Sequence, residues 1–528
     1  MKRYKLAILS TILILCGNLV FTTAFAVNLM DVYKKALVSD PTFKAANATW
    51  LANRENLAIA RSKLLPQLTA SGNISRTREQ NESPLTNGTS TSYDNNSGYS
   101  LQLTQTIFNF GNWANVWGAQ ATIKQAEATF LAAQEDLLQR TATAYFNVLQ
   151  AKDTLYYTRA NKEAVARLLN QAKHKFDVGL IPIADLEDAR ATHDTAVASE
   201  IAAINNLSNA FESLSEITGV RYLSLDSVKA DFPLISPQPA DIEKWAKAAE
   251  QQNFDIIAAR FASIAARENV KVQNAEHLPT LTASGSYAYA YDGNRYPQLE
   301  NGFNRSKTTS VGAQLSVPLF KGGGVVAATR QADYQYQQAL AKLDLTSRTT
   351  ISKARQAYLG ILSNISKIKA DKQAIKSAKS SLRATQASYT AGLRTMADVL
   401  TAQTQLYNAQ NTFATDEYNY INQLLQLKQL TGILNADDLS QINSWLEKPM
   451  QIAKNNIPAK QHLTKRKQPQ TSTKFKSKTI KSPVATNKNR TNKIVVLSAG
   501  EVKQVESDGD NIKTAMATPN TNNNIGKN

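Results

Sequence analysis

The sequence predicts a mixed fold in which membrane β-strands continue into a long α-helical coiled coil, the unit being written twice in tandem. Three observations predict it. The first is a repeat at an offset of 213 residues. Leu65-Pro66-Gln67-Leu68-Thr69-Ala70-Ser71-Gly72 returns as Leu278-Pro279-Thr280-Leu281-Thr282-Ala283-Ser284-Gly285, and Ile217-Thr218-Gly219 as Leu430-Thr431-Gly432. A duplication this long is one fold unit used twice, not a short solenoid repeat; it divides the chain into 27–240 and 241–449. The second is helix length. Residues 119–178 contain no glycine and no proline, and their counterpart 325–391 has only Gly360. At 1.5 Å per residue, 60 residues span about 90 Å, a length coiled coils need and ordinary globular domains do not. The third is period-two alternation in two strand pairs, with one apolar face each.

Taken in order, residues 1–26 read as a secretory signal. Lys2, Arg3 and Lys5 precede an apolar run, and Ala24-Phe25-Ala26 supplies a small-x-small cleavage pattern. The lone cysteine, Cys16, lies inside it, so no disulfide framework or cysteine metal site is expected. Each repeat then opens with a helix of about 24 residues, 41–64 and 254–277. Strands follow, in which Leu101 and Leu103 alternate with Gln102, and Ala313 and Leu315 with Gln314. In a membrane barrel the first set faces lipid and the two glutamines face the lumen. The polar stretches 79–96 and 293–307 are expected as external loops. The long helix comes next, then a tight turn at Gly179-Leu180 or Gly392-Leu393, then helices 183–217 and 396–430. The two shorter helices of a repeat nearly equal the long one in length, so stacked end to end they can run beside it. Residues 450–528 are rich in Lys, Asn, Thr, Ser and Gln without periodicity and are expected to be a disordered basic tail.

Four strands per chain cannot close a barrel, and an open sheet edge cannot face lipid. Two chains would give eight strands with a filled interior; three would give twelve and a pore. The strand count therefore predicts an oligomeric channel, and a homotrimer is the smallest that stays open.

The net charge of +18 is unevenly spread. The signal carries three positive charges and residues 451–528 eleven, which leaves about four on the body. A body so nearly neutral argues against nucleic acid as a partner. His174, His193, His277 and His462 make no metal-ligand pattern. Gly322-Gly323-Gly324 lacks a following Lys-Ser/Thr and reads as a strand-to-helix joint. No enzyme activity and no cofactor are expected.

Leu29-Met30-Asp31-Val32-Tyr33, Leu64-Leu65-Pro66-Gln67-Leu68, Leu101-Gln102-Leu103-Thr104-Gln105 and Ala144-Tyr145-Phe146-Asn147-Val148-Leu149 resemble the TolC family of outer-membrane efflux and type I secretion channels. Phe176 to Leu180 and Tyr418-Asn419-Tyr420-Ile421-Asn422-Gln423-Leu424-Leu425 do so too, and the similarity runs in order from about 28 to 448. The resemblance implies a trimeric twelve-stranded barrel set in outer-membrane lipid and continued by a periplasmic α-helical barrel. It implies a passive exit duct that recruits a periplasmic adaptor and an inner-membrane pump.

It also implies a gate at the periplasmic tip. Arg394 matches the linking arginine, Asp185 and Tyr389 its acidic and tyrosine partners, and Asp398 the first aspartate of a lumenal ring. The second ring aspartate falls at Thr401, whose counterpart in the other repeat is Asp188; the missing charge can come from there. A threonine that the family tends to have before the linking aspartate is Ala184 here. Gly179, Leu180, Gly392 and Leu393 are expected to dock the adaptor, the alternative being that the leucines pack within their hairpins. Two rival readings are a periplasmic adaptor-like coiled-coil protein and a metal-ion efflux channel. The first has no need of two barrel-like strand pairs. The second sits poorly with a mature body whose only methionines before 450 are Met30 and Met396.

Overall fold

The computed structural model describes residues 27–83, 88–229, 231–294 and 304–447. The expected signal and basic tail lie outside them. The first set of elements is α1 (Leu29–Ser39), α2 (Pro41–Ser62), β1 (Gln67–Ser83), β2 (Gly88–Phe108), α3 (Phe110–Asp177) and α4 (Ile183–Thr218). After the two-residue strand β3 (Ser227–Val228) come α5 (Ile242–Gln252), α6 (Phe254–Asn274), β4 (Thr280–Asn294), β5 (Asn304–Ser316), α7 (Gly324–Thr390) and α8 (Met396–Leu430). The described chain ends in α9 (Ala436–Asn443) and β6 (Leu446–Glu447), which pairs with β3.

The repeat goes deeper than its sequence identities. Both bounds of α1 recur in α5 at the same offset, and the caps recur with them. Asp40 accepts a hydrogen bond from the Thr42 N–H to start α2; Asn253, at the equivalent place, accepts from Asp255 and Ile256 to start α6. A side-chain oxygen at this position satisfies N–H groups the helix itself leaves unpaired. Both short helices were missing from the sequence reading, although each carries an apolar stripe at helical spacing, Leu29, Val32, Tyr33 and Ala36 in α1 and Trp245, Ala246 and Ala249 in α5.

The long helices α3 and α7 have 68 and 67 residues, about 100 Å each. Helix α3 starts nine residues before the expected 119, because Asn109 caps it and Gly111 and Gly118 are carried inside. Helices α2 and α4 lie against α3, and α6 and α8 against α7, as the length matching required. Helix α3 also packs on α6 and α8 and so joins the two sets.

The four long strands form one antiparallel sheet in the order β1-β2-β4-β5, leaving β1 and β5 as its edges. The strands have 17, 21, 15 and 13 residues, longer than expected. Every described residue of the stretches 79–96 and 293–307 is therefore strand, and the rest of the two expected loops, 84–87 and 295–303, lies outside the described residues. Their serines, threonines and asparagines make both faces polar, so the alternation that marks a strand vanishes although the pairing continues.

Two cores hold the helices. The larger collects Leu29 and Val32 of α1, Tyr145 and Phe146 of α3, Ile361 of α7 and Tyr420 of α8. Burying each such apolar side chain contributes about 1.5–3 kcal/mol. The smaller lies beside the helical turns and unites Val165, Leu186 and Ala189 of the first set with Leu382, Tyr389, Met396 and Val399 of the second.

Candidate functional site

The helical turns carry most of the candidate residues. Helix α3 ends with Gly179 at φ 73° and α7 with Gly392 at φ 77°. In each, the glycine N–H bonds three residues back and the following leucine N–H five residues back: Gly179 to Phe176 and Leu180 to Lys175, Gly392 to Tyr389 and Leu393 to Ser388. That pairing closes a helix through a left-handed residue, which only glycine adopts freely. Nothing lies within 4 Å of a Cβ placed on either glycine, so the constraint is conformational, not steric. Leu180 and Leu393 are 73% and 79% exposed and do not pack within their hairpins.

The two following helices start differently. Thr395 and Asp398 form a reciprocal capping box at the head of α8. The Thr395 N–H and hydroxyl donate to Asp398 Oδ2 at 3.0 and 2.9 Å, and the Asp398 N–H returns to the hydroxyl at 3.2 Å. These bonds hold the Asp398 carboxyl below its usual range, and Arg394 adds to the effect. Arg394 Nη1 stands 3.6 Å from Asp398 Oδ1, so within one chain it pairs with Asp398 and not with Asp185. Helix α4 begins at Pro182 without a side-chain cap, and Asp185 supplies the negative charge of its first turn. Asp188 and Thr401 are exposed, each one turn beyond its matched aspartate.

Tyr389 is 9% exposed, and its hydroxyl is buried without a hydrogen-bond partner within the chain. Its ring lies under the Lys175 ammonium, 4.1 Å from the centroid. The sequence reading missed Lys175. Its signal is a cation in the last turn of α3, where a helix C-terminus favours one. The tyrosine is thus joined to the first hairpin by a cation–π contact rather than by Asp185.

Away from the tip, α3 and α8 meet along a polar seam. Thr158 Oγ1 and Tyr407 Oη are 2.8 Å apart, Thr154 donates to Asn411 at 2.8 Å, and Gln150 donates to Thr415 at 3.2 Å. Beside the last rung, the Tyr418 hydroxyl donates to Asp153 at 2.6 Å.

The sheet register separates two faces. Leu68, Leu103, Gly285 and Val311 stand in one cross-strand row, and Gly72, Tyr99, Tyr289 and Lys307 in another row of the same face. Tyr99 stacks on Tyr289 at 5.3 Å. Gln102 and Gln314 fall on the opposite face, lined by serine and threonine. On that face Ser71 bonds to Ser100 and Ser286 to Ser310, each at 2.8 Å. No described helix is long and apolar enough to cross a membrane.

Comparison with known proteins agrees with this geometry. The family model described as outer membrane efflux protein matches residues 32–220 and 245–433. The outer membrane protein TolC of Escherichia coli strain K12 is 37% identical over 444 residues, covering 82% of this chain and 87% of that protein. The alkaline protease secretion protein AprF of Pseudomonas aeruginosa is 31% identical over 421 residues, covering 79% and 86%. Among solved structures, the Campylobacter jejuni CmeC outer membrane channel superposes with a TM-score of 0.64 at 20% identity, covering 82% of this chain and 95% of that one. With both repeats matched, this chain belongs to the outer membrane efflux protein family and is an outer-membrane exit duct for efflux and type I secretion.

Proposed function

We propose that three copies of the chain close one twelve-stranded barrel and that the duct they form is gated at the helical turns. The observation that carries this is the pair of free sheet edges, β1 and β5, on a sheet with one apolar face. Edges of that kind require a partner strand in lipid, and the edge of a second copy is antiparallel and of suitable length. In the closed state Arg394 of one hairpin reaches Asp185 across the tip, exchanging its contact with Asp398. A partly wet ion pair is worth about 1 kcal/mol. Three symmetric copies bias closure by about 3 kcal/mol, roughly a hundredfold in population. A partner can overcome that. Asp398, with Asp188 in place of a charge at position 401, rings the constriction with carboxylates and selects cations. The exposed Leu180 and Leu393 dock a periplasmic adaptor, through which an inner-membrane pump supplies the energy; the duct itself does no chemistry.

Planar-bilayer recordings test the gate. Arg394→Ser should raise single-channel conductance several-fold, and Asp398→Ala should weaken cation selectivity and block by multivalent cations. Wild-type conductance in the first variant, with unchanged selectivity in the second, would remove these residues from the gate.

A further inference from the structure

The apolar face of the sheet turns basic towards the β1–β2 and β4–β5 connections. Arg76 and Arg78 on β1, and Arg305 and Lys307 on β5, are exposed there. Register fixes them to that face: Arg76 pairs with Asn95, Arg78 with Tyr93, Arg305 with Tyr291 and Lys307 with Tyr289. The Arg76 and Arg78 guanidinium carbons lie 5.1 and 6.0 Å from the Tyr93 ring centroid, and that of Arg305 lies 5.9 Å from Tyr291. Register places Glu82 on this face as well, four residues past Arg78 and nearer the connection. Glu79 and Asp94 alternate to the other face.

We propose that these four cations bind the phosphate groups of anionic glycolipid headgroups in the outer leaflet of the membrane. The proposal rests on the barrel reading above, in which β1 of one copy pairs with β5 of the next. That pairing gathers Arg76, Arg78, Arg305 and Lys307 into one cluster at each seam between copies. Like charges on adjacent strands repel. An anion seated among them removes the repulsion and is held by charge-assisted hydrogen bonds. Depth agrees with the assignment. The cluster overlaps the tyrosine rows, Lys307 standing beside Tyr289, Arg305 beside Tyr291 and Arg78 beside Tyr93, and such rows mark the boundary between hydrocarbon and headgroups. The guanidiniums of Arg76 and Arg78, lying over the Tyr93 ring, present a planar fork that matches two phosphate oxygens. Cations that merely reach for water would be indifferent to the headgroup they meet.

The test uses the full-length oligomer purified in detergent, with native mass spectrometry reading bound lipid. The probes are diphosphorylated lipid A, the same lipid stripped of phosphate, and zwitterionic phosphatidylethanolamine. The diphosphorylated lipid should bind at least about tenfold more tightly than the other two, saturating at one per seam. Arg76→Gln with Arg78→Gln should lose about tenfold of that affinity, whereas Lys307→Arg should keep it. Equal binding of phosphorylated and stripped lipid to the wild type overturns the proposal, even if the glutamine variant fails to assemble. So does an assembled glutamine variant that binds as the wild type does. Spin labels at 101 and 313 keep the two readings apart. Lipid-exposed labels with phosphate-blind binding sink the headgroup site alone. Labels that report water at both positions sink the barrel reading and this proposal with it.

Discussion

At the scale of single residues, the buried carboxyl of Glu135 shows how the larger core is tuned. Burial pushes its pKa from an ordinary 4.5 up to about 8, against the opposing hydrogen bond that its Oε1 accepts from the Leu434 N–H at 3.1 Å. The folded chain therefore holds a proton that the unfolded chain releases. Stability should fall as pH rises from about 4.5 to about 8 and then level off. Glu135→Gln keeps the acceptor for Leu434 and removes the titration. Thermal unfolding across that range should show a flatter profile in this variant and equal or greater stability above pH 8. Glu417, raised by burial to about 7, supplies a remaining slope that Glu417→Gln removes. The positions proposed for the gate were readable from the sequence because they match the family's motif. Lys175 was not, since nothing in a run of helical residues says which lysine will lie over a tyrosine 214 positions away.

At the scale of elements, the two glycine turns make the sharpest prediction. A bulky residue at Gly179 or Gly392 meets no neighbour but must adopt a positive φ, at a cost of roughly 1–2 kcal/mol to a local turn. The trimer should stay folded while the exposed leucine is displaced. Co-purification of the adaptor should drop in Gly179→Trp and Gly392→Trp; undiminished recovery would argue against docking there. The long helices were legible because sixty residues without a breaker leave few alternatives. Helices α1 and α5 were not, although Asp40-Pro41 and Asn253-Phe254, at equivalent positions, were the caps that betray them. The outer halves of the strands were lost for a different reason. Their pairing is written in backbone hydrogen bonds, and polar side chains on both faces leave no trace of it in hydropathy.

At the scale of the whole molecule, the described residues contain both cores and every element of the repeat, and residues 450–528 lie outside them. Truncation after 454 should leave assembly and export intact, measured as heat-resistant trimer and cargo in the medium; loss of the trimer would assign the tail a structural part. In the gating proposed above, opening the tip would move the second hairpin past the first, along the seam between α3 and α8. Its rungs at 158, 154 and 150 face 407, 411 and 415, so they are four residues apart on both antiparallel helices. A displacement of about 6 Å brings Thr154 opposite Tyr407 and Gln150 opposite Asn411, again hydrogen-bonding partners. Between those settings each rung is left open, at about 1 kcal/mol apiece. A gate that opened along this seam would advance like a toothed rack, by whole teeth, and single-channel current would then rise through discrete sublevels that blur when Thr154 and Thr158 are replaced by alanine; a smooth rise in the wild type would rule such stepping out.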